Sequence, residues 1–244
     1  MIKLLRKIHT LLYFAAVLLF FIPFYPILYF FTRQPQKYYK QIVWCRKWIS
    51  IMAIHLVGIR FKVTYEDNID WSRPYVICPN HTSILDITVL TYLCPQPFSF
   101  MGKIELLKNP VTRIFFKSID IPVDRKSKMS SFRAYKKADE YLKEGKSIVI
   151  FPEGRINDIY PPKLSEFKSG SFRLAIDNKV CILPIVIQDA WKVLWDDGQK
   201  YGSRPGTIHI KVLKPIDTQT LTQGEFDDLQ NYVYNKMNEH WTQE

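Results

Sequence analysis

Residues 75–86, YVICPNHTSILD, contain a short apolar run, a polar turn and the start of a longer apolar segment. The run 75–78 is apolar and rich in residues that favour strands, and this composition predicts a buried strand. Pro79 and Asn80 are typical of the turn that follows such a strand. The spacing of apolar residues over 83–92 predicts a helix. A strand that passes through a short turn into a helix is the repeating unit of α/β folds.

The same alternation of short apolar runs and helical periods continues along the chain. Further strands are predicted at 61–65, 98–101, 121–123, 147–151, 180–187 and 207–212. Further helices are predicted at 110–117, 130–143, 168–177 and 225–241, and 196–205 is the clearest long loop. The pattern predicts one α/β domain over 63–244, built on a mixed, largely parallel sheet flanked by helices.

The basic residues are concentrated at the amino-terminal end of the chain. The 244 residues include 34 basic and 23 acidic ones, a net charge of +11, and ten of the basic residues precede the first acidic residue, Glu66. A domain that reads nucleic acid carries its basic residues on its folded body. This distribution therefore argues against a nucleic-acid partner. The four cysteines form no CxxC pair, which predicts buried thiols in a reducing compartment.

Residues 11–31 are 21 consecutive uncharged residues, LLYFAAVLLFFIPFYPILYFF. As a helix this segment would be about 31 Å long, enough to cross a bilayer. Pro23 and Pro26 lie inside it and predict that the unbroken helix is confined to 11–22. A kinked span and a re-entrant hairpin both remain open, and basic residues on both sides favour the hairpin. A second uncharged stretch, 48–59, predicts another helix.

These features predict a pair of membrane-associating helices over residues 1–62. A cleaved signal peptide is one alternative, but the apolar run is long and rich in phenylalanine, tyrosine and proline. A buried core helix is another, but it would not need ten basic residues with no acid among them. We therefore expect attachment to anionic lipids at the cytoplasmic face of a membrane, the inner membrane if the protein is bacterial.

His81 and Asp86 are five positions apart across the turn that follows the strand at 75–78. A neutral imidazole can take a proton from an alcohol, and a carboxylate bonded to its other nitrogen stabilises the imidazolium. Alternatively, Ser83 and Asp86 form a capping box that satisfies free amides at the helix start. The sequence contains no nucleophile elbow and no paired metal-ligand spacing. Neither a covalent acyl-enzyme nor a bound metal is therefore expected.

Two blocks, NHTSILD at 80–86 and FPEGR at 151–155, resemble the motifs of the glycerolipid acyltransferase family, which makes phosphatidic acid from lysophosphatidic acid. The His-x4-Asp motif alone is weak, but the two blocks together, each after an apolar strand, are specific. The similarity includes, in the family's order, Lys103, IPVDR at 121–125, FKSGSFR at 167–173 and LPIVI at 183–187.

The resemblance implies the chemistry and the substrates of the protein. His81 would be the general base for the acceptor hydroxyl, with Asp86 orienting it, and the hydroxyl would attack an acyl thioester directly. The acyl donor would be acyl-CoA or acyl carrier protein, and no bound cofactor is expected. The acceptor would be the 2-hydroxyl of the lysophospholipid 1-acylglycerol 3-phosphate.

The same resemblance implies an acceptor site. Arg125 and Arg155, with Lys103, would hold the acceptor phosphate, for which an arginine fork is suited. Glu153 and Gly154 would shape the site. Each residue also has an ordinary explanation: Arg125 and Lys103 as solvated charges, and the Pro-Glu-Gly segment as a turn that ends a buried strand.

The sequence departs from the family pattern at two places. The glycine usual before the IPVDR block is absent, with KSID at 117–120 in its place, and Arg155 follows Gly154 directly instead of one residue later. The second departure leaves another acceptor open, such as a lyso-aminoacyl lipid. A membrane lipid-binding protein without turnover is the alternative from another class.

Overall fold

Seven strands form one sheet in the computed structural model, which describes residues 1–241. The strands are β1 Ile59–Tyr65, β2 Val76–Pro79, β3 Phe98–Lys103, β4 Ile121–Val123, β5 Ser147–Val149, β6 Ile182–Ile187 and β7 Gly206–Val212. The sheet order is β1-β7-β6-β2-β5-β3-β4, and every neighbouring pair is parallel except β6 with β7. This confirms the predicted mixed, largely parallel sheet.

Eight α-helices accompany the sheet in the described part of the chain. They are α1 Ile2–Phe31, α2 Tyr39–Leu56, α3 Leu85–Leu93, α4 Pro110–Phe116, α5 Lys128–Lys143, α6 Gly170–Asn178, α7 Ala190–Val193 and α8 Phe226–Glu239. Each strand and helix predicted beyond residue 60 begins and ends within two residues of an observed one. The short α7 and the 3-10 segments Ile104–Lys108 and Gln223–Glu225 were not predicted.

The first helix, α1, continues through both of its prolines. It is one helix of 30 residues that contains Pro23 and Pro26, so the prediction of an unbroken helix confined to 11–22 is wrong. A proline removes one backbone hydrogen bond and bends a helix, but neighbouring packing can hold the remaining turns. Here α2 packs along α1, and the rings of Phe24 and Trp44 lie 6.1 Å apart.

The chain reverses after α1 and not at the prolines. Residues 32–38 form the connection, and α2 begins at Tyr39, nine residues before the predicted stretch 48–59. Tertiary packing explains this earlier start, since Tyr39, Ile42 and Arg46 are buried in the first half of the helix. The predicted helical pair is present as a hairpin of α1 and α2.

Arg46 ties α2 to the sheet. Its guanidinium donates to both carboxylate oxygens of Asp120, at 2.8 and 3.0 Å, and to the carbonyl of Phe98 at 3.2 Å. Asp120 directly precedes β4 and also accepts the N–H of Phe100 on β3 at 3.0 Å. Arg46 is one of the ten amino-terminal basic residues, yet it is buried against the sheet and cannot contact lipid headgroups.

The amino-terminal end of α1 is held by the loop at 196–205. His9 donates through Nε2 to the carbonyl of Val57 at 2.9 Å, and its Nδ1 pairs with the hydroxyl of Ser203 at 2.6 Å. The N–H of Ser203 donates to the carbonyl of Arg6 at 3.1 Å. Both ends of the helical pair are therefore bonded to the α/β body.

The outer face of α1 is apolar and exposed. By length and composition α1 could cross a membrane, and only 22% of its most apolar 18-residue window is buried. An exposed apolar surface of this length marks an interface with lipid or protein. Its large exposed apolar residues are Ile2, Leu4, Leu5, Ile8, Leu11, Leu12, Phe14, Leu18, Leu19, Ile22, Tyr25, Ile27, Tyr29 and Phe30.

The carboxyl ends of β2, β5, β3 and β4 lie along one edge of the sheet, because these strands are neighbours and run parallel. His81 follows β2, Glu153 follows β5, Lys103 ends β3 and Arg125 follows β4. In α/β sheets, ligands bind outside the carboxyl ends of the strands. The predicted site residues therefore lie along the edge where a substrate site is expected.

Candidate active site

His81 and Asp86 form a hydrogen-bonded pair at the end of β2. The Nδ1 of His81 lies 2.9 Å from Oδ2 of Asp86, and because a carboxylate only accepts, Nδ1 carries the proton. The same Oδ2 accepts the backbone N–H groups of Thr82 at 2.7 Å and Ser83 at 2.9 Å. Both interpretations of the motif therefore hold together: Asp86 fixes the turn that opens α3, and it orients the imidazole.

The ring of His81 is fixed from two further sides. It stacks on Phe151 with ring centroids 4.0 Å apart, and the backbone N–H of His81 donates to Oε1 of Glu153 at 2.7 Å. Its Nε2 makes no hydrogen bond to a residue within 1–241, and the side chain is 19% exposed. With Nδ1 protonated, Nε2 presents a lone pair toward the open side of the site, as a general base requires.

Glu153 clamps the turn after β5 to two other loops. The residue is 4% exposed; Oε1 accepts from His81, and Oε2 accepts the N–H of Ser165 at 2.8 Å. Burial raises the pKa of Glu153 to about 7, although these N–H donors and the nearby His81 lower it in part. The structure therefore places this carboxyl group beneath the site, where it holds the backbone of His81.

Gly154 has a left-handed backbone, with φ +76°, that favours glycine. A Cβ at this position would lie 2.9 Å from Nζ of Lys168, which crosses directly over the glycine. Arg155 follows and is exposed. The geometry brings Glu153 and Gly154 next to His81, but it gives Arg155 no contact with the pair.

Lys103 and Arg125 lie at the same edge of the sheet, separated from the His81–Asp86 pair by β5. Lys103 pairs with Val123 in the parallel ladder of β3 and β4, so Arg125 stands two residues beyond the level of Lys103. Both side chains are exposed. Three strand spacings of about 4.8 Å separate β2 from β4, so the His81–Asp86 pair and Arg125 are on the order of 14 Å apart along the edge.

Asp196 is a neighbour of the pair that sequence reasoning missed. Its N–H donates to the carbonyl of Thr82, and its carbonyl accepts from Ile84, both at 3.0 Å. Burial raises the pKa of the Asp196 carboxyl, as does Asp197, while His81 and Lys103 lower it. The only local signal was the turn-forming Asp-Asp-Gly at 196–198.

The thiols are unsuited to covalent catalysis. All four cysteines are buried, and none forms a disulfide. Cys78 lies three residues before His81, but burial raises its pKa to about 12. A thiol that stays protonated near neutral pH is a poor nucleophile. Within the described residues no group of three or more His, Cys, Asp or Glu side chains could hold a metal ion. The arrangement suits direct attack by a substrate alcohol, deprotonated by His81.

Comparison with known proteins identifies the family. A family model described as acyltransferase matches residues 60–188, more than half of the chain. The chain belongs to this acyltransferase family. The match begins at β1 and ends just after β6, so it contains every residue of the candidate site except Asp196.

Several curated relatives of this acyltransferase are 1-acyl-sn-glycerol-3-phosphate acyltransferases. The Saccharomyces cerevisiae protein is 27% identical over 83% of this chain and 66% of its own length. The Borreliella burgdorferi protein is 28% identical over 75% of this chain and 72% of its own length. The human beta protein is 29% identical over 78% of this chain and 68% of its own length. The chain thus spans about two thirds of the length of these relatives.

A solved structure has the same fold. The crystal structure of the 1-acyl-sn-glycerophosphate (LPA) acyltransferase PlsC from Thermotoga maritima superposes with a TM-score of 0.80. The match covers 98% of this chain and 96% of that chain at 22% identity. This likeness includes the amino-terminal helical pair as well as the sheet.

Proposed function

We propose that this acyltransferase moves a fatty acyl chain from a thioester to the 2-hydroxyl of 1-acylglycerol 3-phosphate, forming phosphatidic acid. The observation that carries the proposal is the pair of His81 and Asp86, which stands at a sheet edge that also presents Lys103 and Arg125. The names of the curated relatives support the choice of acceptor.

The reaction follows from the geometry of the pair. The Nε2 of His81 takes the proton of the acceptor hydroxyl as its oxygen attacks the thioester carbonyl. The carbonyl intermediate then collapses, the carbon–sulfur bond breaks, and the leaving sulfur takes the proton from the imidazolium. Asp86, buried and held by two backbone N–H groups, stabilises that imidazolium throughout.

The acceptor would lie along the sheet edge with its phosphate toward the cations. Lys103, Arg125 and Arg155 would bind the phosphate oxygens, and Glu153 with Gly154 would set the shape of the site beneath the acceptor. The acyl donor would be acyl-CoA or acyl carrier protein, with no bound cofactor. The exposed apolar face of α1 would sit in the cytoplasmic leaflet among anionic lipids, where the acceptor and the product reside.

A second acceptor class has its own observation. Asp196 lies beside His81 and, with Asp158 and Asp197, lines a cavity of about 260 Å³. Carboxylates at the site would suit the ammonium group of a lyso-aminoacyl lipid. This acceptor is the second candidate for the same chemistry.

One assay separates the candidates. The purified protein, in detergent or vesicles, is incubated with labelled acyl-CoA and a mixture of lysolipids, and the products are identified by mass spectrometry. We expect phosphatidic acid, with thiol release that depends on lysophosphatidic acid and is absent in His81→Ala. Acylation of lyso-aminoacyl lipid alone would favour the second acceptor. Thiol release that needs no lysolipid would indicate hydrolysis of the thioester and would contradict acyl transfer. Absence of thiol release with every lysolipid would leave a lipid-binding protein without turnover.

A further inference from the structure

The side chain of Lys168 lies flat across Gly154 at the end of β5. A Cβ built on Gly154 would be 2.9 Å from Nζ, 3.0 Å from Cε and 3.2 Å from Cδ of Lys168. Three consecutive atoms of the lysine therefore pack on the glycine, which is why the side chain has one defined course here. The absence of a side chain at Gly154 makes room for this ammonium group.

The backbone fixes the lysine in that place. The N–H of Lys168 donates to the carbonyl of Pro152 at 2.9 Å, and the N–H of Ser165 donates to Glu153 at 2.8 Å. Residues 165–168 are thus bonded to the turn whose carboxylate also holds the N–H of His81. Lys168 is positioned by the same clamp as the candidate base.

Within residues 1–241 the charge of Lys168 has no counter-ion. The ion pairs formed by lysines within residues 1–241 all involve other lysines, and Lys168 is exposed. The carboxylate of Glu153 is already occupied by two N–H donors. Two residues further on, α6 begins without a side-chain cap and without an acid in its first turn, so its positive end adds to the local potential.

We propose that Lys168 binds the acceptor phosphate. This inference rests on the proposed function and deepens it, because it names a further phosphate ligand at the same site. Lys168 stands over β5, between the catalytic pair on β2 and the cations on β3 and β4. It is closer to the pair in the strand order than Arg125, and its backbone is bonded to the turn after β5 that also holds His81.

A change of Lys168 to Met tests the charge alone, because methionine keeps the apolar cover over Gly154. We expect Lys168→Met to raise KM for lysophosphatidic acid about 10- to 100-fold, the loss typical of a charged hydrogen bond. The KM for the acyl donor and the melting temperature should stay the same. Lys168→Arg should retain most of the affinity, and Lys163→Met, an exposed lysine of the same loop, is the matched control.

A binding measurement separates this inference from the proposed function. Calorimetry on the inactive His81→Ala protein compares lysophosphatidic acid with monoacylglycerol in detergent micelles. We expect the His81→Ala, Lys168→Met double variant to prefer the phosphate-bearing lipid about 10- to 100-fold less than His81→Ala does, whether or not that lipid is the substrate that turns over, because the other cations of the site remain. An unchanged preference, or an unchanged KM in Lys168→Met, would overturn the role of Lys168 and leave the proposed acyl transfer intact. Failure of wild-type turnover with lysophosphatidic acid would instead refute the proposed function.

Discussion

Residues 1–241 contain two histidine–aspartate pairs, and of these only His81–Asp86 has the surroundings of a catalytic base. In His81–Asp86 the Nδ1 to Oδ2 distance is 2.9 Å, and in His209–Asp189 it is 2.6 Å. In the second pair the backbone N–H of His209 also donates to the carboxylate of Asp189, at 2.7 Å. The spacing between ring and carboxylate therefore does not distinguish them.

Burial and neighbours do distinguish the pairs. The side chain of Asp86 is fully buried and that of His81 is 19% exposed, whereas Asp189 is 19% and His209 45% exposed. Charge interactions weaken as solvent screens them, so Asp86 stabilises an imidazolium more than Asp189 does. His209 lies in β7, away from the neighbouring parallel strand ends that carry the cations. A catalytic base is thus recognised by a buried carboxylate and an adjoining substrate site.

Removing the ring of the first pair should give the largest effect. We expect His81→Ala to lower kcat by about 10²- to 10⁴-fold, the usual contribution of general base catalysis. The fold should persist, because Asp86 keeps its bonds to the N–H groups of Thr82 and Ser83. Thiol release from acyl-CoA measures the rate, and circular dichroism checks the fold. Near-normal turnover would exclude His81 as the base.

The buried acid beneath the first pair should make stability depend on pH. The pKa of Glu153 is raised from 4.5 to about 7, so the folded protein holds a proton that the unfolded chain has lost over that interval. The contribution of Glu153 to stability is therefore fully present below about pH 4.5, and about 3 kcal/mol of it is lost as the pH rises to about 7. Melting temperatures across this range should fall more steeply for wild type than for Glu153→Gln. If the melting temperatures of wild type and Glu153→Gln changed equally with pH, the raised pKa of Glu153 would be contradicted.

A change of Asp86 to Asn separates capping from catalysis. All three hydrogen bonds of the Asp86 side chain involve Oδ2. Its Oδ1 is buried without a partner among the described residues. An asparagine oxygen can replace Oδ2, so the turn should survive, although its buried NH₂ costs about 1–3 kcal/mol. The uncharged amide stabilises an imidazolium poorly. In an assay run well below the melting temperature of the variant, we therefore expect kcat to fall about 10- to 100-fold. Unchanged kcat would show that Asp86 is only a cap.

The cations on β3 and β4 sharpen the contrast, since they stand at the strand ends beside His81, whereas Lys62, the cation in register with His209, lies inside the ladder of β1 and β7. We expect Arg125→Ala to raise KM for lysophosphatidic acid about 10-fold, because one charged phosphate contact is lost. The KM for the acyl donor should not change. Lys126→Ala, the exposed neighbour, is the matched control. Equal effects of the two changes would assign them to bulk surface charge.

The smallest effect is expected at the second pair. His209→Ala should leave kcat and both KM values within about twofold, since this ring is half-exposed and lies outside the proposed acceptor path. The measurement uses the same thiol-release assay. A loss of kcat comparable to that of His81→Ala would contradict the comparison. It would mean that the burial of the carboxylate does not distinguish the catalytic base from the other histidine.

The sequence predicted the parts of the site that depend on local pattern. The strand periods located β2 to β5 and the turn that carries His81. The resemblance to the acyltransferase motifs selected Glu153, Lys103 and Arg125, and the parallel strand ends bring them to one edge. The roles assigned to these residues stay predictions until the variants are measured. The antiparallel pairing of β6 with β7 had no local signal.

The features that were missed depend on contacts between distant segments. Lys168 lies over Gly154 across 14 positions; the Pro-Glu-Gly segment predicts the turn, but no local pattern predicts that a lysine packs on it. Arg46 lies in a basic segment that predicts contact with a membrane surface. Its burial depends on its bond to Asp120, which is distant in the sequence. The course of α1 through Pro23 and Pro26 depends on α2 packed beside it. Secondary-structure propensity describes one segment of the chain at a time, whereas each of these features depends on contact between two segments.

The buried bond between Arg46 and Asp120 limits how a water-soluble form of this enzyme can be made. Deleting the helical hairpin would remove the partner of Asp120 and would expose to water the apolar core residues of α3 and β1 that α2 contacts. Shortening the chain is therefore the wrong route for crystallisation or industrial use. Polar residues placed on the exposed face of α1 would remove the need for detergent and would keep the bond between Arg46 and Asp120.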